Sequence, residues 1–364
     1  MERKQIRRRL SGRRPRHVPL PALAVLAVAG LTLSGCTSGS TSSGDSSPAT
    51  GAASQSAGAA APAAGGAVSI FVIGGKSDDP FWSRVKRGVD DAAKVVQAHG
   101  GKVTWLGPQN YDNLGPDAAK LILTAKSEGA TAVIGADWVP DAQDQAFTSV
   151  SSSGIPVFLY NAGGADAAKK VGALTYTGSD ELLAGKAGGQ YFAEKGAKNV
   201  LCVNTLPGAS NTEARCKGIA EGIASNGKST QLPLPSSTFG NPTAVTQAIK
   251  AALLKDSGID GVVTISTTDA DSAAAAIQQA KASGKVKLGT FDMDDTQLGR
   301  IKAGTQLFCI DQQPYMQGYL AVSQAFAYNS YGIVLPQSPL LTGPAVINAG
   351  NVGQALAGAQ AGVR

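Results

Sequence analysis

Short apolar runs alternate with longer amphipathic stretches from Val68 to the end of the chain. The short runs are typical of buried strands, and stretches with apolar residues three or four positions apart are typical of helices. Strands separated by helices form parallel sheets that carry helices on both faces. The pattern therefore predicts an α/β fold built from Rossmann-like, doubly wound parallel sheets.

The alternation of strand-like and helix-like segments begins again after residues 178–180, which predicts two lobes of similar construction. The predicted strands are 68–73, 102–106, 132–134, 155–160, 172–176, 200–204, 261–265, 287–291 and 306–310. The predicted helices are 81–99, 116–128, 141–152, 181–195, 213–225, 242–255, 270–283 and 315–328. Short apolar segments at 340–341 and 345–347 would return to the first lobe and then to the second. We expect an N-terminal lobe of 67–177 plus 313–341 and a C-terminal lobe of 178–312 plus 342–364.

The first 66 residues differ from this body. A basic start is followed by an apolar run over 18–33 and then by Leu33-Ser34-Gly35-Cys36, the order of an export signal. The last four residues resemble a bacterial lipobox, in which the cysteine receives the lipid. Residues 36–66 are mainly Ser, Gly, Ala, Thr and Pro and cannot form a core. We expect a signal peptide over 1–35, lipid attachment at Cys36, a tether over 36–66 and a lipid-anchored location at the outer face of the cell membrane.

The basic character of the whole chain comes from its leader. Eight of the 32 Lys and Arg residues and one of the 26 Asp and Glu residues lie in 1–35, so the remainder has a formal charge of −1. A nucleic-acid partner is therefore not expected.

Three cysteines remain after Cys36, namely Cys202, Cys216 and Cys309. An exported chain can keep disulfides, and a Cys202–Cys216 bridge would tie a loop to the second sheet. Two buried free thiols are the alternative. The chain has only two histidines, so the sequence predicts no metal site and no cofactor.

Acidic and aromatic residues meet in the loop after the first strand. Asp79, Phe81 and Trp82 stand where the first helix begins. A carboxylate accepts hydroxyl hydrogen bonds and an aromatic face covers the apolar side of a sugar ring, which indicates half of a polyol site. The alternative is a helix cap followed by two core aromatics.

Polar residues follow several other predicted strands, where the carboxyl ends of parallel strands border a crevice. These candidate ligand-binding residues are Asp137, Asn161, Thr268, Asp292 and Gln312. Arg215 or Lys217, at the start of a helix, could donate to a hydroxyl or carboxylate. The sequence contains neither a glycine-rich phosphate loop nor a Gly-x-Ser-x-Gly nucleophile motif. Clustered carboxylates could serve a glycosidase, but that activity requires a pair at a fixed separation.

These motifs resemble the type I periplasmic binding proteins, in the simple-sugar group that includes the ribose-binding protein of ABC importers. The similarity spans about residues 67–350 and rests on SDDPFW at 77–82, SGIPVFLYNAG at 153–163, GSDELLAGKAGGQY at 178–191, ARCKGI at 214–219, TTDADSAAAA at 267–276, FDMDD at 291–295 and IDQQPYMQGY at 310–319. The resemblance implies two lobes joined by three hinge crossings near 177–179, 312–315 and 341–345.

By the same resemblance, the protein is a monomeric binding protein, not an enzyme, that passes a sugar or polyol to an ABC permease. The candidate residues above would hold the ligand. The chain departs from the ribose binder at Ala136, where that protein has Asn, and at Asn161-Ala162, where it has Asp-Arg. A sensor that reports to a receptor, or a binder of a nucleoside or a furanose of the autoinducer type, is the alternative.

Overall fold

The computed structural model describes residues 67–364. The predicted signal peptide, the lipid-attachment residue Cys36 and the tether lie outside the described residues. Two six-stranded sheets form the described part, each covered by helices on both faces. No helix within 67–364 is long and apolar enough to cross a membrane.

The first sheet has the strand order β11-β5-β4-β3-β1-β2. Its strands are β1 (Ser69–Ile73), β2 (Lys102–Leu106), β3 (Ala132–Gly135), β4 (Val157–Tyr160), β5 (Tyr176–Ser179) and β11 (Leu340–Gly343), and all neighbouring pairs are parallel. Its helices are α1 (Pro80–Ala98), α2 (Leu114–Ser127), α3 (Pro140–Ser151), α4 (Gly164–Lys170) and α10 (Pro314–Tyr331). Every residue of β1 is buried, as its continuous apolar run predicts.

The second sheet has the order β12-β10-β9-β8-β6-β7. Its strands are β6 (Asn199–Asn204), β7 (Lys228–Pro233), β8 (Gly261–Thr264), β9 (Lys287–Phe291), β10 (Phe308–Asp311) and β12 (Ala345–Asn348), and only the last pairs antiparallel. Its helices are α5 (Glu181–Glu194), α6 (Ser210–Ile223), α7 (Pro242–Lys255), α8 (Thr267–Gln279), α9 (Asp295–Lys302) and α11 (Val352–Gln360), with a short 3-10 helix at Ser236–Thr238. The α/β fold with two doubly wound lobes is confirmed.

The chain passes between the two sheets after β5, after β10 and between β11 and β12. These passages lie close to the predicted hinge segments, and the two short tail strands enter the first and second sheets in the predicted order. The chain passes from one sheet to the other at the carboxyl ends of β5 and β10. The carboxyl edges of the two sheets therefore face each other across a cleft.

Some predicted elements are wrong or missing. The strand expected at 172–176 begins only at Tyr176, because Val171 and Gly172 complete the end of α4 and Ala173 bonds back to Ala168. The short helix α4, the edge strand β7 and helices α9 and α11 are not predicted. β7 is partly exposed and reads Lys-Ser-Thr-Gln-Leu-Pro, which offers no apolar run.

Candidate functional site

A cavity of about 60 Å³ lies between the carboxyl edges of the two sheets. Its lining includes eight of the nine predicted ligand-binding residues: Asp79, Phe81, Trp82, Asn161, Arg215, Thr268, Asp292 and Gln312. Residues far apart in the chain therefore meet at one small chamber with both polar and apolar walls.

The first loop contributes both a carboxylate and an aromatic wall. Asp79 Oδ1 accepts from the backbone N–H of Phe81 at 2.9 Å and of Trp82 at 3.1 Å, so it caps α1. The other oxygen of Asp79 is not used by the cap. Asp79 therefore caps the helix, and the same residue lines the cavity.

The indole of Trp82 is the centre of the aromatic wall. Its ring packs edge-on against Phe81, Trp138 and Tyr160, with centroid distances of 5.3, 5.5 and 5.9 Å. Gly75 makes this placement possible, because a Cβ there would lie 2.2 Å from Trp82 Cδ1. The glycine that follows β1 thus serves the close approach of the indole to the backbone.

Asn161 and Asp292 reach the cavity from strained backbone positions. Their φ angles are 60° and 64°, a left-handed conformation that costs a non-glycine residue about 1–3 kcal/mol. Asn161 Nδ2 donates to Gln317 Oε1 at 3.2 Å, whereas its buried Oδ1 has no hydrogen-bond partner among residues 67–364. Asn161 Oδ1 is therefore an acceptor that the protein itself leaves unpaired.

Gln312 completes this edge of the cavity. Its Nε2 donates to Asp292 Oδ1 at 2.5 Å, and its own buried Oε1 has no partner in the described part of the chain. Partial enclosure raises the pKa of Asp292 to about 7, against the lowering effects of Arg215 and Gln312. The carboxylate is thus poorly solvated before a ligand arrives, and any added donor would stabilise its charge.

Arg215 faces the cavity from α6, held by a buried ion pair. Its Nε lies 2.7 Å from Glu181 Oε2, its Nη2 lies 3.1 Å from Glu181 Oε1, and its Nη1 donates to the Ile265 carbonyl at 3.1 Å. A guanidinium has five N–H groups, so two remain for a ligand. Lys217 is exposed and does not line the cavity, which decides between the two basic candidates.

Close helix packing sets the position of this ion pair. α5 and α6 cross at small residues, and a Cβ at Gly185 would lie 2.2 Å from the Arg215 carbonyl oxygen. The contact brings Glu181, at the first turn of α5, beside the guanidinium. Cys202 of β6 and Cys216 of α6 form a disulfide. This bond ties α6 to the second sheet at the residue next to Arg215.

Asp137 does not line the cavity, so its predicted role as a ligand residue needs correction. Its carboxylate is fully buried and has no hydrogen-bond donor within 67–364. Burial raises its pKa to about 7, and the adjacent Asp144 adds to the rise. Asp144 pairs with Lys170 at 2.5 Å. The side chain therefore packs behind the wall, and Trp138, the next residue, lines the cavity instead.

Several cavity residues were not predicted. They are Tyr111, Asn211, Thr212 and Phe239, with Leu206 and Ser266 beside them. Tyr111 and Phe239 come from opposite lobes, and their rings meet edge-on at 5.0 Å. Both stand in loops without a periodic pattern, so only the aromatic character of each residue could have suggested a role.

A protein-family model, that of the periplasmic binding protein domain, matches residues 70–330 of this chain. The structure of a carbohydrate transporter from Acidothermus cellulolyticus in complex with myo-inositol is similar, with a TM-score of 0.74 and 30% identity over 82% of this chain and 99% of that chain. A glucose-galactose binding protein from Geobacillus stearothermophilus has a TM-score of 0.69 and 19% identity over 79% of this chain and 99% of that chain, which shows the fold alone.

A xylose/arabinose-binding protein from Sulfolobus acidocaldarius is 23% identical over 266 residues, which is 69% of this chain. The match spans 63% of the length of that curated relative.

Proposed function

The chain belongs to the periplasmic binding protein family, and we propose that it captures a sugar or polyol between its lobes and delivers it to an ABC importer. The family consists of substrate-binding proteins rather than enzymes. In this proposal the export signal and Cys36 place the monomeric protein at the outer face of the cell membrane, anchored by lipid.

The observation that carries the proposal is the set of unsatisfied groups around the cavity. Asn161 Oδ1 and Gln312 Oε1 are buried acceptors without partners in the described chain, Asp292 is an underhydrated carboxylate, and Arg215 keeps free N–H groups. A sugar hydroxyl both donates and accepts hydrogen bonds, so a polyhydroxylated ring can satisfy acceptors and donors together. The apolar C–H face of such a ring would lie against Trp82.

A neutral ring fits the charges better than an acidic ligand, because the carboxylates of Asp79 and Asp292 already line the cavity. Arg215 is already neutralised by Glu181, so it can supply hydrogen bonds without an uncompensated charge. The ribose binder's Arg and Asn positions hold Ala162 and Ala136, which are both fully buried. The relative at 30% identity is in complex with myo-inositol. We therefore favour a cyclic polyol or monosaccharide other than ribose.

A thermal-shift screen tests the proposal. The panel contains myo-inositol, D-xylose, L-arabinose, D-fucose, D-ribose, sugar alcohols, nucleosides and amino acids. A ligand at 100 times its dissociation constant should add about 2.7 kcal/mol to the free energy of unfolding, which raises the melting temperature by several degrees. A shift with one cyclic polyol or monosaccharide is expected. A shift with nucleosides or amino acids alone would contradict the sugar assignment.

Binding should weaken on acidification. Ligand hydroxyls donate to the ionised form of Asp292, whose pKa is about 7. Affinity should therefore fall by up to about tenfold between pH 8 and pH 6, as the carboxylate takes up a proton. Calorimetric titrations at both pH values measure this change.

The stability of the unliganded protein should depend on pH in the opposite direction. Because the folded pKa lies above the ordinary value of 3.8, the contribution of Asp292 to stability is complete below that value and is lost as the pH rises through about 7.

Asp137 and Asp269 have raised pKa values of about 7 and about 6 and remain in an Asp292→Asn variant. An equally steep pH dependence of affinity in that variant would show that Asp292 is not the responsible group.

A further inference from the structure

Ser210, the first residue of α6, bonds to the opposite lobe. Its backbone N–H donates to the Trp138 carbonyl at 2.6 Å, and its hydroxyl donates to the Asp137 carbonyl at 2.8 Å. The first N–H groups of a helix have no partner within the helix, so Ser210 N–H is free to make this contact. These two bonds join the second lobe directly to the loop between β3 and α3.

Apolar residues reinforce this contact. Ala209 is 3% exposed and belongs to the apolar core of the first lobe, although it precedes a helix of the second. Leu206 packs against the same core. The hydrogen bonds of Ser210 therefore form beside a buried apolar contact, at an interlobe junction that is itself partly buried.

The bonded elements also build the cavity. α6 supplies Asn211, Thr212 and Arg215 to the lining, and the accepting loop supplies Trp138. Ser210 itself is absent from the lining. When the hydrogen bonds of Ser210 form, they bring the cavity residues of α6 close to the cavity residue of the loop between β3 and α3. Ser210 itself does not contact the ligand.

We infer that Ser210 is a positioning residue that sets affinity by holding the lobes together around the ligand. This inference rests on the proposed function, since the ligand is bound between the lobes. Ser210 strengthens the closed arrangement and slows ligand release. It does not distinguish one ligand from another, because it touches none of them.

The test compares Ser210→Ala, Ser210→Thr and Ser153→Ala. Ser153 is a matched control, because its exposed hydroxyl bonds to Val150 within one lobe, away from the cavity. Myo-inositol, D-xylose and L-arabinose serve as probes, and dissociation is followed by stopped-flow tryptophan fluorescence. Loss of one net hydrogen bond should weaken binding by about three- to tenfold, mostly through faster dissociation.

The expected result is the same factor for every probe that binds, recovery in Ser210→Thr and no change in Ser153→Ala. Unchanged affinity in Ser210→Ala would overturn the inference. A factor that differs among the probes would also overturn it, because the hydroxyl would then contact the ligand.

A second measurement separates this inference from the proposed function. Spin labels at Lys120→Cys and Lys255→Cys, both exposed and on different lobes, report the distance between the lobes without any ligand. We expect a smaller population at the short distance when Ser210→Ala is added. Equal populations would refute the role of Ser210, whereas binding of no sugar or polyol would refute only the proposed function.

Discussion

Asp292→Asn is expected to weaken ligand binding by about 10- to 150-fold, because a hydrogen bond to a charged group contributes about 1.5–3 kcal/mol. The carboxylate stands at the end of β9, beside Gln312 and within the field of Arg215. An amide keeps the shape of the side chain but loses the charge and one acceptor. Its Oδ1 can still accept from Gln312 Nε2, which leaves an NH₂ donor in place of the second carboxylate oxygen.

Asp295→Asn is the matched control for this variant. Asp295 is exposed in the first turn of α9, three residues away, and does not line the cavity. Calorimetric titration should show native affinity for the control and the loss for Asp292→Asn, with both variants folded by circular dichroism. Similar affinities in the two variants would remove Asp292 from the ligand site.

Arg215→Met is expected to reduce the free energy of unfolding by about 3–5 kcal/mol, because it leaves the buried Glu181 carboxylate without its partner. The ion-paired side chains are 4% and 7% exposed. Burial already raises the pKa of Glu181, and Arg215 opposes that rise. Binding should be weakened as well, since the cavity loses the N–H donors of the guanidinium.

A double variant separates these two effects. Replacing a buried ion pair by apolar residues of similar volume is often neutral, so adding Glu181→Leu to Arg215→Met should restore most of the stability. Affinity should stay low, because the guanidinium N–H groups do not return to the cavity. Urea unfolding and calorimetric titration of the three variants measure the two quantities separately. Recovery of binding in the double variant would show that Arg215 acts only through stability.

Much of the fold follows from the sequence because buried strands such as β1 and β3 are continuous apolar runs, although β5 is buried with the sequence Tyr-Thr-Gly-Ser. Phe71 and Val133, for example, lie in fully buried strands that pair in parallel. Edge strands lack that signal. β7 has one exposed side and a polar sequence, so the periodicity that identifies β1 cannot identify β7.

The sequence predicts which side chains line the cavity where position in the sheet determines their place. Asn161, Asp292 and Gln312 all follow strand ends, and the carboxyl edges of the two sheets bring them together. Asp137 also follows a strand, but its side chain turns behind the wall while Trp138 turns inward. The two neighbouring side chains point in different directions because of the local conformation of the loop. The sequence pattern does not predict that conformation.

Contacts between lobes were the least predictable part of the site. Phe239 reaches Tyr111 across the cleft, and Ser210 bonds to the loop of the other lobe. Each pair depends on how two separately folded units meet. Local propensity and periodicity describe each unit alone, so they carry no information about these pairs.

The most direct test of the account is a crystal structure of the protein with the ligand that gives the largest thermal shift. The account predicts one ring between the lobes with its apolar face on Trp82. Its hydroxyls should bond to Asp292, to Asn161 Oδ1 and to the free N–H groups of Arg215. A ligand bound elsewhere, or one that leaves these three side chains without contact, would contradict the central claim.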